Sequence, residues 1–180
     1  HQKWEFINGE IVMQSPAKWR HIQVLSRFTR LAAVFPSLGV RGKFAYEKAL
    51  VRLTRNDYEP DIAYFRQEKA SGFAADDMYF PAPDLAIEIL SPSTEQIDRG
   101  VKFEDYAAHG VEEYWIVDPD REILEQYLLS GGAYQLEFRA GEGVLTSPVL
   151  GGLQLNARAL FDDARCDETV KRLISRPRDE

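Results

Sequence analysis

Alternating apolar and polar positions divide the chain into short strands and a few helical stretches. In "WEFINGEIVM", Asn8-Gly9 separates two β-prone runs, the pattern of a two-residue type I′ turn and so of an N-terminal β-hairpin. In "SPAKWRHIQVLSRFTRLAAVF", Ile22, Leu25, Phe28, Leu31, Ala32 and Phe35 recur at helical spacing. This predicts an amphipathic helix with Ser15 as N-cap and Pro16 in its first position. Residues 43–53 read as one strand, "NDY" as a turn, "DIAYF" as a short strand and residues 66–83 as a long loop. "DLAIEIL" is a buried strand. "SPSTEQIDRGVKFEDYAAHG" is one helix, with a capping box from Ser93 to Gln96 and a stop at Gly110. "VEEYWIVD" is the next strand, so strand, helix and strand form a parallel pair with a crossover. "EILEQYLL" and "AYQLEFRA" flank "SGG" as a hairpin, and a helical tail follows from about Asn156. The expected fold class is α/β (α+β): one domain over residues 1–180, with a mixed central sheet flanked by helices.

Composition narrows this little: 44% of the 180 residues are hydrophobic and 28% charged, as in an ordinary globular protein. No apolar run is long enough for a membrane helix and no secretory signal is visible. The chain opens on His1 rather than Met, as a trimmed N-terminus would. One cysteine, Cys166, excludes an intramolecular disulfide and fits a reducing cytoplasm. With only three histidines beside it, a Cys/His zinc site is not expected. The net charge of −7 is unevenly spread: residues 1–55 carry 10 Lys and Arg against 3 Asp and Glu, the remainder 12 against 26. Such asymmetry marks either a polyanion-binding face or simply one basic helix and one basic strand.

The candidate chemistry begins at Glu88, a carboxylate inside an apolar strand, where burial without a partner is costly. Alternation points Leu85, Ile87 and Ile89 one way and Ala86, Glu88 and Leu90 the other, with Glu88 near the C-terminal end of its strand. Asp61 opens a second strand in "EPDIAYF"; two carboxylates on neighbouring strands would suit Mg²⁺. Asp98, Lys102 and Tyr106 form a stripe on the following helix, from which Lys102 could reach the carboxylates. Each residue also has a plain structural explanation. Asp61 can be a strand-entry residue, Glu88 can pair with an arginine, and Lys102 can be a solvated helix charge. His21 and His109 are expected at the surface or at helix ends.

The segments "FINGEIVM", "EPDIAYF" and "PDLAIEILSPSTEQIDRGVKFEDYAAHGVEEYWIVDP", in that order, resemble the Uma2 family of restriction-endonuclease-like proteins, from about Glu5 to Tyr127. The resemblance implies a restriction-endonuclease-like fold with a PD-(D/E)xK type of site. Asp61 and Glu88 would be its metal ligands, joined by the carbonyl of Ile89. The lysine usual two residues beyond the Glu is absent, since that position is Leu90, and Lys102 of "DRGVK" takes its role. Glu47 and Glu10 are further acidic candidates. The implied activity is a Mg²⁺- or Mn²⁺-dependent endonuclease on DNA. For such an activity the basic helix (Arg20, Arg27, Arg30) with Lys43, Lys48 and Arg52 offers candidate phosphate contacts, and a homodimer is the form able to cut both strands. Two other readings stay open: a non-catalytic DNA-binding or protein-interaction module on the same fold, and a metal-free hydrolase using Asp61 and Glu88 as acid and base.

Overall fold

The computed structural model describes residues 4–175. Strands β1 (Trp4–Ile7) and β2 (Glu10–Met13) form the expected hairpin, with Ile7 opposite Glu10. Asn8 and Gly9 both take positive φ, 52° and 91°, as a type I′ turn requires. Helix α1 (Trp19–Ala32) begins later than its sequence suggests, with Lys18 rather than Ser15 at the N-cap. Its buried face is set by Val24, Phe28 and Leu31 together with His21 and Arg27; Ile22 is turned out to solvent. A 3-10 turn over Phe35–Leu38 then leads to β3 (Gly42–Tyr46).

The stretch 43–53 is two strands rather than one. Glu47 adopts a left-handed φ of 56°, and the chain leaves one sheet for another. Beyond this kink come β4 (Leu50–Arg52) and β5 (Asp57–Tyr58), so "NDY" contributes strand rather than only turn. Next is β6 (Ile62–Arg66). The expected loop 66–83 contains the short helix α2 (Gln67–Ala70) and β7 (Tyr79–Phe80). Strand β8 (Leu85–Ile89) is buried along its whole length.

The helix after β8 is broken into α3 (Glu95–Arg99) and α4 (Val101–Ala108). Gly100 makes the break, and a Cβ there would lie 2.7 Å from the Gln96 carbonyl oxygen. Thr94, not Ser93, is the N-cap of α3. Strand β9 (Glu113–Asp118) returns parallel to β8, as expected of the crossover. Strands β10 (Ile123–Ser130) and β11 (Ala133–Ala140) are the second hairpin. A third hairpin, β12 (Val144–Ser147) and β13 (Leu153–Asn156), was not apparent in the sequence. A 3-10 turn, Ala157–Leu160, and α5 (Asp163–Ile174) form the helical tail.

The central sheet is mixed, in the order β11-β10-β9-β8-β6-β3, and beside it lies a second sheet, β2-β1-β5-β4-β7. Alternation along β8 divides the interior. Leu85, Ile87 and Ile89 join Phe28 and Leu31 of α1 and Leu160 and Leu173 of the tail in one core. Ala86 and Leu90 face a second core with Ile7, Val51, Tyr58 and Tyr106. Glu88 therefore projects on the side of β8 that faces the second sheet and α4, the arrangement that brings the candidate residues together.

Candidate active site

Strands β6 and β8 run antiparallel with Ile62 opposite Ile87, and one step outward on this register sets Asp61 opposite Glu88. Asp61 Oδ2 accepts the backbone N–H of Ile89 at 2.7 Å, which ties the entry of β6 to the exit of β8. Asp61, Glu88, Ile89, Asp98 and Lys102 all line one cavity of about 570 Å³. His21, expected at the surface or at a helix end, lies in the first turn of α1 and is buried there, with Nε2 3.5 Å from Asp61 Oδ1. Packing of the polar start of α1 against the strand ends explains that placement; nothing in the helical periodicity marks it.

Lys102 is 1% exposed, and its ammonium is surrounded by carboxylates. Nζ lies 3.0 Å from Glu88 Oε1, 2.9 Å from Glu5 Oε1 and 3.1 Å from Asp98 Oδ1. Tyr106 donates its hydroxyl to the same Glu88 oxygen at 3.1 Å. Burial alone would lower the Lys102 pKa, but Glu88, Asp98 and Glu5 more than offset it and hold the group well above its ordinary value. Burial also raises the Asp98 carboxyl, against the opposing pull of Lys102. The helix stripe Asp98–Lys102–Tyr106 survives the break at Gly100, with all three side chains buried. Leu90, where the superfamily pattern places its lysine, is packed in the second core. Lys102 supplies an ammonium to Glu88 from α4 instead.

The other candidates scatter. Glu47 and Lys48 line the cavity, and Lys48 also pairs with Glu59. Lys18, on the polar side of the α1 sequence, lines it too. Glu10 is exposed on β2 and is not among the lining residues. Arg20 pairs with Asp120. Arg27 is buried, with Nε and Nη2 donating to Asp163 and Nη1 to the Leu160 carbonyl, so it joins α1 to the tail rather than facing solvent. Arg30 pairs with Asp163 and Asp167. Lys43 is exposed on the edge strand β3. Arg52 pairs with Asp57 and stacks over Tyr79. Glu5 was missed altogether: on the sequence it is one polar position in an alternating strand, and only sheet packing shows where it points.

Asp61 and Glu88 carry oxygen donors, the type that Mg²⁺ takes. Among the described residues, no set of three or more His, Cys, Asp or Glu side chains is arranged to hold a metal ion. The protein's share would be the two carboxylates Asp61 and Glu88. Mg²⁺ is commonly bound this way, its shell completed by waters and substrate phosphate. Among the described residues, no helix is long and apolar enough to cross a membrane.

No curated protein matches the chain. A solved structure described as "a putative nuclease belonging to DUF820 from Anabaena variabilis ATCC 29413" superposes with a TM-score of 0.72 at 21% identity, over 91% of this chain and 90% of that one. At that identity the match shows a shared fold. The family described as "Uma2: Putative restriction endonuclease" matches residues 1–158, and the chain belongs to this family.

Proposed function

We propose that this chain is a Mg²⁺- or Mn²⁺-dependent endonuclease that hydrolyses DNA phosphodiesters, a single nuclease domain over residues 1–180 acting in the cytoplasm. Family membership and the shared fold support a nuclease role. The observation that carries the finer reading is the β6–β8 register, which sets Asp61 and Glu88 on one cavity wall with the Lys102 ammonium against Glu88. Asp61, Glu88 and the carbonyl of Ile89 would hold the cation. Once bound, it would polarise the phosphate and supply a water nucleophilic near neutral pH. Lys102, against Glu88, would help to offset the charge that builds at the site. Lys18 and Lys48 at the cavity, with Lys43 and Arg52, offer phosphate contacts; those contacts should make affinity fall with salt. Cutting both strands of a duplex calls for two such sites, hence a homodimer.

One observation also favours a non-cleaving DNA-binding or interaction module: Glu88 already has a buried cationic partner, so the strand carboxylate is explained without a metal. Incubating duplex DNA with the protein in Mg²⁺ or Mn²⁺ separates the readings. The expected result is cleavage that EDTA abolishes and that Asp61→Asn and Glu88→Gln each reduce by about 100-fold or more. Cleavage that persists in EDTA would favour an acid/base pair without metal. Intact DNA under every condition would favour the module.

A further inference from the structure

One carboxylate would balance Lys102, yet three reach it, each from a different element. Glu88 comes from β8, Asp98 from α3, and Glu5 from β1 in the second sheet. Glu5 is buried between Trp4 and Phe6, whose side chains are exposed. Both its oxygens are held: Oε1 accepts the backbone N–H of Glu59 at 3.0 Å, and Oε2 accepts Gln14 Nε2 at 2.9 Å. Asp98 lies one helical turn before Lys102, and its Oδ1 is buried without an aligned hydrogen bond, kept there by the ammonium 3.1 Å away.

Gathering two extra carboxylates in a dry place costs solvation that a purely structural ion pair would not require. What the extra pair provides is direction. An ammonium has three N–H bonds, and here three oxygens surround it. Without them, a flexible lysine on a short helix just past the helix break at Gly100 would sample several rotamers. We propose that Glu5 and Asp98 are positioning residues for DNA cleavage: they hold the Lys102 ammonium at the cavity wall, and through it the Glu88 carboxylate. The inference rests on the nuclease reading above. It also makes the N-terminal hairpin part of the site, because Glu5 reaches Lys102 only while β1 is docked.

The test uses Glu5→Gln and Asp98→Asn, both close in shape to the native residues. Its first readout needs neither metal nor activity. In protein carrying isotope-labelled lysine, the ammonium signal of Lys102, assigned through its side-chain carbons, should persist because the group is buried and held. In either variant its exchange with water should speed up by about tenfold or more, and kcat on duplex DNA should fall about 10- to 100-fold with KM within about threefold, the pattern of a misplaced catalytic group. Circular dichroism reports whether each variant folds, and one folded variant suffices for the decision. An unchanged ammonium signal, or a wild-type kcat in a folded variant, would overturn the proposal. If the wild type cuts no DNA in either metal, the nuclease reading fails separately. A faster-exchanging ammonium would then leave the three carboxylates as a structural device and overturn their role in cleavage.

Discussion

Lys102 carries one positive charge among three buried carboxylates, and that imbalance sets the outcome of substitutions there. Replacing it by methionine leaves Glu5, Glu88 and Asp98 without their common cation. The expected loss is about 3–5 kcal/mol, the usual cost of breaking a buried pair from one side. Glu88→Gln removes one of several crowded negative charges and leaves Lys102 with two partners. Its stability should stay within about 1 kcal/mol of wild type or rise, as repulsion among like charges is relieved. Urea denaturation of both variants checks this. A Glu88→Gln loss as large as that of Lys102→Met would show that the ion pair, rather than the charge cluster, dominates. A gain on removing a residue proposed to hold metal would be the familiar cost of a site built for function.

At the scale of elements, the break between α3 and α4 decides where Lys102 points. Gly100 is the hinge, and an added methyl would press on the Gln96 carbonyl at 2.7 Å. Gly100→Ala should therefore displace the start of α4, lowering cleavage by about tenfold or more, since small misplacements at a reacting centre are costly. A kinetic comparison with a melting curve checks it; wild-type turnover in a folded Gly100→Ala protein would count against the hinge. The sequence shows a continuous capped helix here because both halves share one buried stripe. For the same reason residues 43–53 look like one strand: β-propensity continues through the kink at Glu47, and only pairing reveals two sheets.

For the molecule as a whole, the acid limb of stability follows its depressed carboxylates. Glu125 on β10 is the clearest away from the cavity. Burial would raise its pKa, but hydrogen bonds from Arg99, Tyr127 and Arg139 outweigh burial and hold it below the ordinary value. A carboxylate lowered in the folded state binds fewer protons than in the unfolded chain. Its contribution is present above the unfolded pKa, near 4.5, and is lost as pH falls through the depressed value. Glu125→Gln should thus cost about 1–3 kcal/mol at pH 7. The gap to wild type should close progressively below about pH 4.5. Thermal melts across that range check the sign, and a gap that widens on acidification would refute it.

What the sequence determined by itself is whatever short-range chemistry dictates: the Asn8-Gly9 turn, the β8–helix–β9 unit, the division of β8 into two faces, and the helix stripe Asp98, Lys102 and Tyr106. Turn conformations, strand alternation and helical stripes are properties of neighbours along the chain, so they are legible there. Only the tertiary structure decided which groups from distant segments share one space. It brought Glu5 from another sheet onto Lys102, buried His21 against Asp61, and drew Arg27 inward to Asp163. Each of these depends on how whole elements pack, and a charged residue on a polar position looks the same in sequence whether solvent or a buried partner lies beyond it.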